Sequence, residues 1–376
     1  MERLAPSKTP TRDYQALSDT PWDLWDALYG RRSHRKYLPY EMDDELTSGL
    51  ADVIALACDA RGAARGSIVA VTEQAAVDRV KRSAYKGISG KINVWLGRAP
   101  LAAVLVLDLP GPDVHAQRPV ELPKTVMATE DMVLWLTERG LGSCWLAGVS
   151  EREVIKAADL GSGRAVPSII SVGKPALEVP RRTSWGGISY HAMSRRRKPL
   201  SRIACIESAR TPYEPLEETP GSFSAVQADV MGLLGMLRDG AAGPADARAP
   251  LPLAIDACLE AARVAPSGNN AQAWQFVVVK DRNRLEELSG LCTSSAGDDW
   301  SAAIIAAGQD RKISNMLMDK PFWDIDVPIA MSHISLMASS MGYAPEVLTG
   351  GLDEKGVCRL AALASGMRVV GVIGLH

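Results

Sequence analysis

Pro266-Ser267-Gly268-Asn269-Asn270-Ala271-Gln272-Ala273-Trp274-Gln275-Phe276 lies between an amphipathic stretch, Leu253 to Val264, and an apolar one, Phe276 to Val279. Pro presets φ, Gly accepts unusual dihedrals, and Ser and Asn bond the neighbouring backbone, so the segment reads as a turn joining helix to strand. Such a turn gathers N–H, hydroxyl and amide groups where a planar polar ligand can be read. The competing reading is a plain Asn/Gly connection with Trp274 filling the core.

Outward from this turn the α/β pattern repeats. A helix closed by glycine occurs at Met127–Gly140 and again at Ile329–Gly342, each followed by a short helix and a terminal strand. In the first half, Trp22 to Tyr29 and Glu45 to Cys58 read as helices, Ser67 to Val71 and Leu101 to Leu109 as strands, and Ser168 to Val172 as the closing strand. In the second half, Val226 to Leu237 and Asp326 to Met341 read as helices, and Val369 to Leu375 closes the pattern. Two copies of about 150 residues fit the usual domain size. The expected division is an arm over 1–20, a first domain over 21–210, a linker over 211–222 and a second domain over 223–376.

Three other segments carry chemistry. Arg31-Arg32-Ser33-His34-Arg35-Lys36-Tyr37 concentrates guanidinium forks and a hydroxyl, a donor set suited to a phosphate monoester, although a solvated basic turn has the same composition. Gly140-Leu141-Gly142-Ser143-Cys144-Trp145-Leu146-Ala147-Gly148 reads as a glycine-rich loop that lets a ligand approach the backbone. Within it Cys144 reads as a buried thiol rather than a nucleophile. Arg195-Arg196-Arg197-Lys198-Pro199-Leu200 reads by default as a charged connector.

The net charge of -2 over 376 residues lacks the basic excess of a nucleic-acid protein. The six cysteines include no C-x-x-C pair, so neither a zinc site nor a disulfide framework is expected. With no apolar h-region after Met1 and no bilayer-length apolar run, the sequence reads as a cytoplasmic protein with reduced thiols.

Together these segments resemble the FMN-dependent nitroreductase family. Arg31-Arg32-Ser33-His34-Arg35 is similar to its flavin-phosphate motif. Pro266 to Trp274 is similar to its Pro-Ser-Ser-x-Asn-x-Gln-Pro-Trp motif, departing at Gly268 and Ala273. Gly140 to Trp145 matches a Gly-Leu-Gly-x-x-Trp segment, and Arg197-Lys198-Pro199-Leu200 a closing Arg-x-Pro-Leu element. The resemblance implies an α+β fold: two nitroreductase-like α/β domains fused as an intramolecular pseudo-dimer, each a mixed sheet flanked by helices. It further implies FMN as cofactor and NAD(P)H as reductant. Hydride would pass through flavin N5 to or from a small organic substrate, with no obligatory catalytic side chain and no metal. A dehydrogenase or oxidase of specialised metabolism, and a non-catalytic flavin-binding or storage protein, are the alternatives.

The motifs are divided between the halves. Where the first half should carry Pro-Ser-x-x-Asn it reads Cys58-Asp59-Ala60-Arg61-Gly62-Ala63-Ala64-Arg65-Gly66. Where the second should carry the basic cluster it reads Arg238-Asp239-Gly240-Ala241-Ala242-Gly243, and no basic tail is seen before His376. The resemblance therefore implies one composite flavin site. Arg31, Arg32, Ser33, Arg35, Arg195 and Arg197 would grip the phosphate. Pro266, Ser267, Gly268 and Asn270 would come from the other half, and Trp145, Leu146, Ala147 and Gly148 would face the ring. The fusion would replace the homodimer, so a monomer is expected, with a small-molecule substrate and neither nucleic acid nor membrane as partner.

Overall fold

The computed structural model describes residues 24–35, 37–84, 99–108, 119–146, 149–161, 163–176, 197–216, 225–293, 299–309 and 322–376. The first half begins with α1 (Leu24–Gly30) and α2 (Asp44–Arg61). Asp43 caps α2 by accepting from the Leu46 amide at 2.7 Å, and Gly62 ends it in the left-handed region at φ 61°, where a side chain is disfavoured. Then follow β1 (Ile68–Val71), α3 (Gln74–Ala84), β2 (Leu101–Leu105), β3 (Leu107–Asp108), α4 (Glu121–Glu138), β4 (Gly142–Leu146), α5 (Glu151–Ala157), β5 (Arg164–Ala165) and β6 (Ile169–Gly173).

A crossing segment contains α6 (Leu200–Ile203) and β7 (Ala204–Ile206). The second half runs α7 (Val230–Asp239), α8 (Leu251–Val264), β8 (Trp274–Val279), α9 (Arg282–Gly290), β9 (Ala302–Gln309), α10 (Trp323–Ser340), β10 (Pro345–Leu348), α11 (Glu354–Leu360) and β11 (Met367–Leu375).

The two sheets have the same order. The first is β1-β2-β6-β4; the second is β10-β11-β9-β8, with β7 added beside β8. Strand for strand, β1, β2, β4 and β6 correspond to β8, β9, β10 and β11, and α2, α3, α4 and α5 to α8, α9, α10 and α11. The duplication is thus present in topology as well as in pattern. All three pairings of the first sheet are antiparallel, and the bridge from Ser33 to Ser143 is its parallel contact. In the second sheet β7 runs parallel to β8 and the rest are antiparallel.

Strand β7 follows the first half in the chain yet completes the sheet of the second. From the end of the segment read as a charged connector, residues 200–206 form a helical turn and a strand, with Ala204 and Cys205 buried against Phe276 and Val277. Expectations change elsewhere. The segment read as a glycine-rich loop, Gly140 to Gly148, is strand β4 over Gly142–Leu146, paired along its length with β6; Ala147 and Gly148 lie outside the described residues. The stretch read as one strand, Leu101 to Leu109, breaks at Val106. There the amide turns to the Ser67 carbonyl at 2.8 Å, and Leu107 and Asp108 pair with β5 instead.

One apolar core joins the halves. Helices α4 and α10 pack at its centre, with Met127, Met132, Trp135 and Leu136 on the first and Ile329, Ile334, Leu336 and Met337 on the second. Every residue of α10 is buried, as its all-round apolar sequence requires. Aligning Gly140 with Gly342 pairs Glu130 with Ser332 and Asp131 with His333. Across the helix interface Glu130 meets His333 at 2.9 Å, and Ser332 donates to Asp131 at 2.6 Å. These are the two arms of one pseudo-twofold contact, and they differ in chemistry. None of the described helices is long and apolar enough to cross a membrane.

Candidate functional site

Helix α1 delivers the chain into the basic segment, with the Arg31 amide still bonded to the Ala27 carbonyl at 2.9 Å. The segment then lies along the edge of β4. Ser33 bridges to Ser143, and the His34 amide donates to the Ser143 carbonyl at 2.8 Å. Buried Tyr37 pins the far end by donating to the His34 carbonyl at 2.8 Å. Gly142 makes this approach possible, since a Cβ there would lie 2.6 Å from the His34 ring. Gly142→Ala should therefore push the basic segment off the strand, costing roughly 1–3 kcal/mol of stability by urea unfolding. A loss below ~0.5 kcal/mol would show that the segment is not held there.

The segment is electrostatically strained. Burial, then Arg31, Arg32 and Arg35, push His34 down to about 3, so its imidazole is neutral at ordinary pH. The Cys144 thiol is raised, chiefly by burial, with Arg35, Arg31 and Ser33 opposing. This matches its reading as an inert thiol.

The second group assembles at the C-terminal end of α8. Arg197 caps that end, donating to the Ala265 carbonyl at 2.6 Å, the Val264 carbonyl at 2.8 Å and Asn270 Oδ1 at 3.2 Å. A cation there satisfies carbonyls the helix leaves open. Lys198 follows, its amide donating to Gln272 Oε1 at 2.8 Å and its Nζ to the Gln272 carbonyl at 2.7 Å. Between them the turn is strained, with Asn269, Asn270 and Gln272 at φ of 52°, 54° and 48°. Left-handed non-glycine residues concentrate at functional sites. Ser267 Oγ accepts from the Gln272 amide at 3.0 Å. Gly268 sits under Phe322, whose ring would lie 2.8 Å from a Cβ. This explains why glycine stands where the resembling motif has serine.

The two groups meet. Arg197 is held below the usual guanidinium range, first by burial, then by Arg31 and Arg263, with Asp326 opposing and Arg32 adding to the depression. The same guanidinium that touches Asn270 therefore feels the charges of the early arginines. Arg197, which bonds Asn270, thus lies within electrostatic reach of Arg31 and Arg32, while Ser33 and Arg35 belong to the segment along β4. Pro266 is buried at the base of the turn. Trp145 and Leu146 lie on β4: Trp145 is half-buried, and Leu146 is buried with its carbonyl accepting from Ser168. Arg195, Ala147 and Gly148 lie outside the described residues.

Several residues here were not singled out from sequence. Glu130 accepts from Trp145 Nε1 at 2.7 Å and lies 3.8 Å from Arg31 Nε. Its signal was legible: Glu130-Asp131 interrupts an apolar helix. Asp326, buried in the first turn of α10, accepts from the Gly268 amide at 2.9 and 3.0 Å. Burial raises its carboxyl to about 8; the Gly268 amide lowers it, Asp324 raises it and Arg197 lowers it. A carboxyl raised on folding binds a proton more tightly in the native state, so stability falls as pH rises from the ordinary carboxyl range to about 8. Asp326→Asn keeps a carbonyl for Gly268 and removes the titration. It should match the parent near pH 4 and exceed it by roughly 2 kcal/mol at pH 8.5 in urea unfolding. A variant equally destabilised at both pH values would contradict this assignment.

The pseudo-symmetric place is chemically different. There Arg65 is paired with Asp59 at 2.8 Å, Arg238 with Asp239 at 2.8 Å, and buried Arg61 with Asp131 at 2.7 and 2.8 Å. Each of these guanidiniums already has a carboxylate. A groove of about 380 Å³ beside α2 and β1 shares Cys58, Arg65 and Gly66 with this region, but Leu50, Ile54 and Ile68 make it mainly aliphatic. It offers no cationic cluster. No cluster of three or more metal-ligating side chains occurs among the described residues.

Comparison with known proteins follows the same division. The family model described as "Putative TM nitroreductase" matches residues 125–217, and the Nitroreductase family model matches residues 249–323. A curated relative from Archaeoglobus fulgidus, named "Putative NADH dehydrogenase/NAD(P)H nitroreductase", is 35% identical over 88 residues, 23% of this chain and 49% of the relative. The chain thus spans about half the length of that relative. A crystal structure described as a "putative nitroreductase" from Thermotoga maritima is 14% identical and covers 94% of each chain, with a TM-score of 0.42. An FMN-dependent nitroreductase from Clostridium difficile is 23% identical over 44% of this chain and 94% of its own, with a TM-score of 0.32. Those superpositions are loose, and the assignment rests on the two family models and the repeated strand order. Two nitroreductase family models thus match this chain in tandem, consistent with a fused two-domain protein of the nitroreductase family.

Proposed function

We propose that the chain is an FMN-dependent oxidoreductase with one composite flavin site between its halves. The observation that carries this reading is that the basic segment and the Asn270 turn are tied to each other across the halves: Arg197 donates to Asn270 Oδ1 at 3.2 Å, and Arg31 Nε lies 3.8 Å from Glu130, which meets His333 of the second half at 2.9 Å. The basic cluster gains most from a dianion, and a phosphate monoester supplies two charges and several acceptors. The donor set therefore fits the phosphate of FMN. Arg31, Arg32, Ser33, Arg35 and Arg197, with Arg195, would hold that phosphate. Pro266, Ser267, Gly268 and Asn270 would approach from the other half, and Trp145 to Gly148 would border the ring.

When bound, FMN supplies the hydride chemistry, and the protein supplies binding, orientation and exclusion of water. The names of the relatives favour NAD(P)H as reductant and a small organic acceptor as substrate. The division of domains at 21–210 and 223–376, a monomeric state and a cytoplasmic setting complete the proposal.

The test is anaerobic. Purified protein with its flavin is mixed with NADH or NADPH, then with a quinone or nitroaromatic compound. Loss of the visible flavin band followed by its return supports the reading. A band that neither nucleotide alters would exclude NAD(P)H-driven turnover and leave flavin binding alone.

A further inference from the structure

We infer that Glu130 is a positioning residue of the flavin site, tying its phosphate and ring sides to the opposite half through one buried carboxylate. The inference rests on the flavin reading above and adds a residue to it.

Glu130 is fully buried in α4, at the interface with α10. Its Oε2 accepts from the Trp145 indole at 2.7 Å, on the strand that runs into Ala147 and Gly148. Its Oε1 lies 3.8 Å from Arg31 Nε and 2.9 Å from His333 Nε2. The other ring nitrogen of His333 donates to the Ala261 carbonyl at 3.0 Å, so the imidazole is fixed from both sides. One carboxylate thus accepts a hydrogen bond from an indole of the first half and lies within ion-pair distance of a guanidinium beside it, and a histidine of the second half anchors it.

A buried charge of this kind can also be structural glue, and the pseudo-symmetry separates the two roles. The mirror positions of Glu130, His333 and Trp145 are Ser332, Asp131 and Val347. There Asp131 is spent on Arg61 and Ser332, and no indole is present. The glue is kept on both sides of the axis in different chemistry. The link from carboxylate to indole is present only on the side of the basic segment, at Glu130 and Trp145. A role confined to holding the helices together would not require that coincidence.

The experiment compares Glu130→Gln with Asp131→Asn, a buried carboxylate of the other arm of the helix contact. For each, the FMN dissociation constant of flavin-stripped protein is measured by flavin-fluorescence quenching, the bound flavin spectrum is recorded, and the thermal midpoint of the stripped protein is taken. Glu130→Gln should weaken FMN at least tenfold and shift the visible flavin band. Asp131→Asn should lower the midpoint and leave the FMN constant within about twofold. Should Glu130→Gln fail to fold, His333→Gln loosens the same carboxylate from the far side and should weaken FMN at least threefold. Glu130→Gln, or His333→Gln in its place, with unchanged FMN affinity would overturn the inference, as would equal weakening by Asp131→Asn. A parent protein that binds no FMN would instead defeat the flavin reading itself.

Discussion

Arg31→Ala combined with Arg35→Ala gives a protein that folds but purifies without yellow colour. Both side chains belong to the basic segment clamped along β4, and their charges already depress the neighbouring His34. Charge-assisted hydrogen bonds to a phosphate contribute about 1.5–3 kcal/mol each, so the pair should weaken FMN by a factor on the order of 10² to 10⁴. Folding should survive, because removing two like charges from a crowded cluster relieves repulsion. Fluorescence titration of the stripped variant with FMN measures the loss. Arg238→Ala is the matched control. Arg238 occupies the pseudo-equivalent position, is exposed, and is bonded to Asp239 at 2.8 and 3.0 Å, so its loss should leave FMN affinity within about twofold. An Arg238→Ala protein that loses flavin as readily as the double variant would show that the halves had been assigned the wrong way round.

The largest effect on stability is expected at Asp131. Arg61 donates to both of its oxygens, at 2.7 and 2.8 Å, and to Ser335 Oγ at 2.6 Å, while Ser332 donates to Asp131 at 2.6 Å. Neither partner reaches water. Asp131→Ala strands a buried guanidinium and should cost about 3–5 kcal/mol in urea unfolding. Replacing both partners together, as Arg61→Leu with Asp131→Leu, removes the charge and its counter-charge and should recover much of that loss. A single variant that costs less than about 1 kcal/mol would mean that water reaches Arg61 and the halves pack less tightly than described.

The sequence made the repetition legible because its strongest signals are local. Helices α4 and α10 announce themselves by apolar periodicity and by Gly140 and Gly342. The turn at Pro266 to Asn270 shows itself by residue type. The expectation of a turn there agrees with positive φ at Asn269 and Asn270. Long-range pairing was less legible. Strand β4 was hidden because Gly140 and Gly142 mimic a loop; Gly142 is there to admit His34, and Gly173 of the paired β6 to clear Pro100 and Tyr37. Strand β7 was hidden because the basic residues before it dominate the reading, although Ala204, Cys205 and Ile206 form a strand once β8 offers an edge. Helix α10 begins at Trp323, ahead of the expected Asp326, and carries Pro328 within it as expected. At the site, the clusters of like residues were visible, whereas Glu130, His333 and Asp326 are single polar residues in apolar helices. Glu130 and His333 take their role from each other across the halves, and Asp326 from the Gly268 amide of its own half.

The central claim is that two halves with complementary losses build one flavin site. Its most direct measurement is the amount of flavin released by heat from a known amount of chain, after saturation with FMN and removal of excess. The account predicts one FMN per chain, abolished by the Arg31→Ala, Arg35→Ala pair and retained in Arg238→Ala. Two per chain would mean that the region of Arg61, Arg65 and Arg238 also binds FMN, and would contradict it.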